Sequence, residues 1–308
     1  MRSSRPMRAA WFCLLLLLVG RAPSDAAEAP LVVRHAGRLT IRADQTLAFP
    51  GGLVTVEVRS RRAIGGVMYA ILDGRRCPFF YRAGTFTALV PIPPTLAAGP
   101  ATLGVEVRGG RARQRVAVPI EIAPREYRER TVVIPEPKRP LVTQRAAIRD
   151  GRQVQQLLRT VSSERQWQGA FRPPVDAAPV DSYGAPMTYV GASPVEASMD
   201  SIHGEYHRGL DYAVPVGTVV QAPAAATVLL ARPLSLTGQT LILDHGQGVI
   251  SALFHLSRID VREGGWVEAR APVALSGESG VAAEAHLHWA VYVLGVAVDP
   301  RVMERLGD

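Results

Sequence analysis

Five residues with the side-chain chemistry of metal sites fall within one third of the chain. His207 and Asp211 stand four positions apart in His-Arg-Gly-Leu-Asp, and His286 and His288 two apart in His-Leu-His. His255 lies between these groups, in Leu-Phe-His-Leu. Gly209 inside the first cluster and Pro215 beyond it argue against a helix. The β-branched run 218–222 reads as a strand, so the spacing predicts extended chain. Side chains alternate along a strand, so positions i and i+2, or i and i+4, share a face. His286 and His288 then project together, with Trp289, Val291 and Val293 continuing an apolar strand. A catalytic zinc takes three ligands from His, Asp or Glu and leaves a fourth position for water. His207, Asp211 and one member of the His286/His288 pair meet that count without cysteine. Zinc lowers the pKa of water from about 16 to about 7 and polarises a carbonyl, which makes an amide attackable at neutral pH. The remaining histidines suit proton transfer, because imidazole titrates near neutrality.

The elements that must position these residues follow from the pattern around them. The runs 239–244 and 249–254 flank Asp-His-Gly-Gln-Gly and predict a hairpin that delivers His255. Trp266-Val267, the run 273–276 and the run 287–293 supply further strands. Other histidines carry blander readings. His35 and His203 read as surface or satisfied core residues, and His245 as part of the hairpin turn. His203 precedes His207 by four positions, but Gly204 follows it where a His-Glu-x-x-His helix needs glutamate.

Taken together, His207-x-x-x-Asp211, the Gly-Leu-Asp-Tyr-Ala-Val-Pro-Val-Gly-Thr-Val-Val-Gln-Ala run, Asp-His-Gly-Gln-Gly (244–248), His-Leu-Ser (255–257) and His-Leu-His (286–288) resemble the LytM-type, lysostaphin-like zinc endopeptidases. The order of the motifs matches over roughly the last 130 residues, which is far more specific than a lone His-x-His. The resemblance implies a small antiparallel β-domain that cuts peptide cross-bridges of bacterial peptidoglycan. It assigns His207, Asp211 and His288 as Zn2+ ligands, and His255 and His286 as catalytic histidines beside the metal. Two positions depart from the family. Leu253 stands where a tyrosine is usual, and Glu284-Ala285 where Gly-Pro commonly precedes His-Leu-His. Relatives that act as non-catalytic regulators of wall hydrolases usually lack one or more of the five positions; this chain has all five.

Composition sets the frame. At 308 residues and 47% hydrophobic, the chain has room for two modest cores. Residues 1–27 read as a secretory signal. Arg2, Arg5 and Arg8 precede an apolar run with five consecutive leucines and then small residues, and the run is too short for a comfortable membrane span. The expectation is a periplasmic or secreted protein without a stable membrane anchor. Removal of the leader takes Cys13 and leaves Cys77 alone, a small buried apolar residue rather than a reactive thiol. The net charge of +8 is nearly all arginine and favours anionic partners. The arginines are scattered, with no basic helix or aromatic RNA-binding signature, so nucleic acid is not expected. Cell-wall polymer fits better, and the oligomeric state is not fixed by sequence.

The rest of the chain divides by pattern. Residues 28–124 carry short alternating runs at 38–42, 53–59, 67–72, 85–92, 101–107 and 115–122, punctuated by Gly, Pro and Asp-Gly. They predict an immunoglobulin-like β-sandwich that serves as a wall-binding module or a spacer. Residues 125–175 hold a Pro-rich charged linker at 135–140 and an amphipathic helix over 142–161, with Val154, Leu157, Leu158 and Val161 on one face. Trp167 and Phe171 read as packing anchors. Residues 176–308 form the LytM-type domain, and the segment from Pro186 to Tyr206 reads as a loop over one wall of its groove. The predicted class is mainly β.

Overall fold

The computed structural model describes residues 31–109, 112–143, 145–180, 183–190 and 206–306. The leader-like segment with Cys13, His203 and most of the Pro186–Tyr206 loop lie outside the described residues.

Among the described residues, the N-terminal half is built from nine strands: β1 (Val32–Ala36), β2 (Leu39–Asp44), β3 (Leu53–Ser60), β4 (Val67–Leu72), β5 (Arg75–Pro78), β6 (Phe80–Arg82), β7 (Thr85–Pro91), β8 (Gly99–Gly109) and β9 (Ala112–Ile122). One sheet has the order β1-β2-β3-β7-β6 and the other β5-β4-β8-β9. Alternate residues such as Leu39, Ile41, Val54, Val56 and Val58 from the first sheet meet Ala70, Leu103, Val105 and Val118 from the second in one core. This is a two-sheet sandwich, as the alternating runs require. The strands absent from the sequence reading are β1, β5 and β6. Each is short or largely exposed, so none carries the apolar alternation that would mark it. Cys77 is buried in this core, and burial pushes its thiol up to about 12, so it stays protonated and inert.

The linker is more structured than its prolines suggest. Strand β10 (Arg130–Val133) pairs in parallel with β11 (Met187–Val190), ahead of the C-terminal domain. A 3-10 turn over Glu136–Lys138 leads into α1 (Arg139–Thr143) and α2 (Arg145–Leu157). Proline is accommodated there because a first helical turn has no hydrogen-bond use for its missing N–H. The helix expected over 142–161 therefore starts earlier and stops at Leu157. Val154 and Leu158 are buried, but Val161 lies past the helix and is exposed.

The C-terminal half contains β12 (Gly209–Tyr212), β13 (Val219–Gln221), β14 (Ala226–Leu234), β15 (Gly238–Gly246), β16 (Val249–Leu256), β17 (Arg258–Ile259), β18 (Trp266–Val267), β19 (Pro272–Leu275), β20 (Leu287–Val293), β21 (Val296–Val298) and a terminal helix α3 (Pro300–Arg305). The main sheet runs β12-β20-β16-β15-β14-β18, with β21 on β20, and a second sheet runs β13-β19-β17. Strands β16 and β20 are buried along their whole length, which is why they read as continuous apolar runs. Trp167 and Phe171 pack edge-on in this core as anchors, and Phe171 meets the His245 ring.

The two halves share packing through Leu47, Leu53 and Leu294, and polar contacts tie them together around Asp299. Asp299 caps α3 through the Arg301 N–H, accepts an ion pair from Arg125, and donates its own backbone N–H to the Gly51 carbonyl. The Tyr127 hydroxyl donates to the Pro50 carbonyl beside it.

Candidate metal centre

The register of β12 against β20 puts Asp211 opposite His288. His207 precedes β12 on extended chain, anchored by backbone hydrogen bonds from its N–H to the Ala185 carbonyl and from Gly184 N–H to its own carbonyl. The three side chains converge. His288 Nδ1 lies 2.8 Å from Asp211 Oδ1, and His207 Nε2 lies 3.2 Å from that oxygen and 3.1 Å from His288 Nδ1. Ligand atoms on a tetrahedral zinc with bonds of about 2.0–2.1 Å stand roughly 3.3 Å apart. Two imidazole nitrogens and a carboxylate oxygen at this spacing therefore fit a divalent metal, and they form a cluster whose ligand atoms all lie within 4.8 Å of one another.

The approach of β12 to β20 depends on Gly209, in register with Ala290. A Cβ there would lie 2.4 Å from the Trp289 carbonyl oxygen and 2.7 Å from His288 Nε2. Phe254 lies parallel to the His288 ring on the β16 side, with centroids 5.2 Å apart. The imidazole is held between a strand that has no side chain at that point and an aromatic face.

Burial shapes the electrostatics. It pushes the Asp211 carboxyl upward, but His207 and His288 overcome this and hold it well below the usual carboxylate range. Burial also lowers His288, despite the opposing pull of Asp211. The result is an ionised carboxylate beside a neutral imidazole, the protonation states a metal requires. Asp211 has a further partner, for Arg130 Nη1 on β10 donates to Oδ2 at 2.9 Å while Oδ1 faces the histidines. That ion pair would fix which carboxylate oxygen faces a bound metal.

His255 and His286 stand beside the cluster. Their ring centroids are 4.7 Å apart, and His286 Nε2 is 3.9 Å from Asp211 Oδ1. Each ring is oriented by a backbone carbonyl. His255 Nδ1 donates to Ser279 at 2.8 Å, and His286 Nδ1 donates to Glu284 at 2.8 Å. With the proton on Nδ1, both Nε2 atoms are left as acceptors, so each ring can take a proton from water or a leaving group. His255 reaches its place through a left-handed backbone with φ of 60°, a conformation costing about 1–2 kcal/mol in a non-glycine residue. The hairpin β15–β16 absorbs it with a register shift nearby. Ser279, whose carbonyl holds His255, is itself tied down, its hydroxyl donating to the Leu256 carbonyl and accepting from Gln239 N–H.

The structure thus brings His207, Asp211 and His288 into one cluster and places His255 and His286 next to it. His245 is elsewhere, buried with Nδ1 on the Ala225 carbonyl and Nε2 on the Ser251 hydroxyl, and burial lowers it to about 4. The His35 ring lies 3.3 Å from the Thr40 hydroxyl, away from the cluster. Leu253 is fully buried opposite Trp289 and Leu241, so the residue at that position packs the core. Position 284 acts through its carbonyl, which any residue supplies. Three contributors were not legible beforehand. Arg130 lies 81 residues from its partner in a segment with no metal-site pattern. Ser279 acts mainly through a backbone carbonyl, and Gly209 through an absent methyl.

Comparison with known proteins gives the same picture. The family model described as Peptidase family M23 matches residues 205–300. An uncharacterized metalloprotease of Haemophilus influenzae is 35% identical over 102 residues, 33% of this chain and 22% of that protein. The peptidoglycan DD-endopeptidase ShyA of Vibrio cholerae is 32% identical over 93 residues, 30% of this chain and 22% of that protein. The chain thus matches about a fifth of the length of these relatives. A solved structure described as a peptidase M23 from Pseudomonas aeruginosa superposes with a TM-score of 0.59 at 26% identity, covering 83% of this chain and 95% of that one. Residues 205–300 of this chain are accordingly the part that matches the Peptidase family M23 model.

Proposed function

We propose that this chain is an exported zinc metalloendopeptidase that hydrolyses peptide cross-links of bacterial peptidoglycan. The observation that carries the reading is the His207–Asp211–His288 cluster with two correctly polarised histidines beside it. His207 Nε2, Asp211 Oδ1 and His288 Nδ1 would hold the ion. A bound zinc supplies Lewis acidity, which acidifies water and polarises the scissile carbonyl. His255 and His286 do the proton work. One accepts the proton of the attacking water at Nε2, and the other, once protonated, donates to the developing oxyanion or the departing amine. Ser279 and Glu284 carbonyls keep both rings aimed throughout. Cross-linked peptidoglycan as substrate is supported by the DD-endopeptidase relatives, and placement in the periplasm or outside the cell by the leader-like pattern of residues 1–27.

The test is release of muropeptides from purified sacculi by zinc-loaded protein, with and without a chelator, with metal content measured alongside. One zinc per chain is expected, lost in His288→Ala. His286→Ala should keep the zinc and lose about 10²–10⁴-fold in kcat, the usual worth of a general acid or base. A folded, zinc-loaded protein that releases nothing from sacculi or from soluble cross-linked dimers sinks the enzyme reading and favours a non-catalytic regulator of wall hydrolases.

A further inference from the structure

The outward face of the β5-β4-β8-β9 sheet carries an arrangement that the peptidase site does not use. Glu106 on β8 alternates with the core residues Val105 and Val107, so it points away from the sandwich core, yet its side chain is 0% exposed. It is covered by arginines from three strands. Arg108 donates from Nε to Oε1, Arg113 from Nε and Nη2 to Oε2, and Arg115 from Nη2 to Oε2 at 3.1 Å. Arg76 on β5 completes the ring at 3.8 Å and lies over the Tyr69 face at 5.8 Å. Burial opposes ionisation of Glu106, but hydrogen bonds from Arg113 and Arg108 outweigh it and bring the carboxyl down to about 2. The carboxylate is therefore ionised at any physiological pH.

Four guanidiniums share that one carboxylate, which leaves a net charge of +3 on a compact patch. The arginine side chains remain between 39% and 56% exposed. Glu106 acts as a buried post. It fixes the long side chains in place, so less rotamer entropy is lost when an anion arrives, and it leaves their outer N–H groups facing solvent. Guanidinium forks match planar carboxylates. The arginines stand on strands β5, β8 and β9 of one sheet, so they suit an extended polymer with repeated single charges.

We propose that this arginine ring is a docking surface for the carboxylates of peptidoglycan stem peptides, which holds the enzyme on the polymer that its C-terminal site cuts. This rests on the functional reading above. Peptidoglycan is favoured over other anions because the same chain carries a site for its cross-links, and tethering raises the local concentration of substrate at that site.

The test uses the full chain. Sedimentation with purified sacculi is compared for wild type and Arg113→Gln/Arg115→Gln across a salt series, beside hydrolysis of a soluble cross-linked muropeptide dimer. A second variant, Arg76→Gln, leaves the closest Glu106 contacts in place and guards against misfolding of the double variant. The double variant should bind sacculi about three- to tenfold more weakly, Arg76→Gln less so, with a shallower salt dependence. Turnover of the soluble dimer should be unchanged. Unchanged sacculus affinity in both variants overturns the docking surface, and so does tighter arginine-dependent binding to phosphatidylglycerol vesicles than to sacculi. Arginine-dependent sacculus binding without dimer hydrolysis would keep the docking surface while removing the peptidase reading.

Discussion

Gly209→Ala tests whether the metal centre depends on strand approach rather than on ligand identity alone. The substitution leaves all five histidine and aspartate side chains intact. Gly209 does not have a positive φ, so the backbone accepts alanine and the effect is steric. The new Cβ would stand 2.4 Å from the Trp289 oxygen, 2.7 Å from His288 Nε2 and 2.8 Å from His288 Cε1. Comfortable contacts are about 3.5–4.0 Å, so roughly 1 Å must be recovered by parting β12 from β20 or by turning the imidazole. Overpacking of this kind costs about 1–3 kcal/mol. Both relaxations separate His288 from Asp211, whose atoms are 2.8 Å apart, whereas metal sites tolerate only about ±0.2 Å in ligand distance. If most of the strain falls on the site, zinc affinity drops about ten- to a hundredfold, at about 1.4 kcal/mol per factor of ten. The assay is competition with a chromogenic chelator, read beside thermal melts with and without zinc. Gly65→Ala, where the new Cβ meets nothing within 4 Å, is the control. A Gly209→Ala protein that binds zinc within twofold of wild type and melts at the same temperature would refute the argument.

Two further predictions concern groups outside the ligand set. Arg130→Gln should weaken zinc binding about tenfold, as loss of an outer hydrogen-bond partner to a ligand commonly does, measured by the same chelator competition; unchanged affinity would show that Asp211 needs no orienting partner. His245 predicts a pH dependence. Its folded pKa of about 4 lies below the ordinary 6.5, so the unfolded chain binds the extra proton and stability falls as pH drops from 6.5 towards 4. The depression amounts to about 3 kcal/mol when complete. Thermal melts in chelator should therefore fall more steeply across that window in wild type than in His245→Gln, and parallel curves would contradict it.

Much of the C-terminal domain was legible in the chain itself. The five candidate residues are chemically distinctive, and four of them form two pairs, His207/Asp211 and His286/His288, whose spacings of four and two are short enough for local strand alternation to place. The apolar runs of β15, β16 and β20 mark a buried sheet because each strand is covered on both faces. The paired runs of the N-terminal half likewise mark a sandwich. Helix limits were less legible, since Val161 fits the apolar period yet lies past the last helical turn.

What local pattern could not specify was everything decided by contacts between distant segments. The alignment of Asp211 with His288, 77 residues apart, is set by the register of β12 on β20. The aim of His255 is set by a carbonyl 24 residues away and by a left-handed backbone that its neighbours impose. Arg130 reaches Asp211 because β10 pairs with β11, and Glu106 gathers arginines from three strands because of how a sheet is ordered. Side-chain identity and short spacing are properties of the chain alone. Which carbonyl, methyl-free gap or guanidinium comes to lie beside them depends on long-range pairing, and that exists only once the chain has folded.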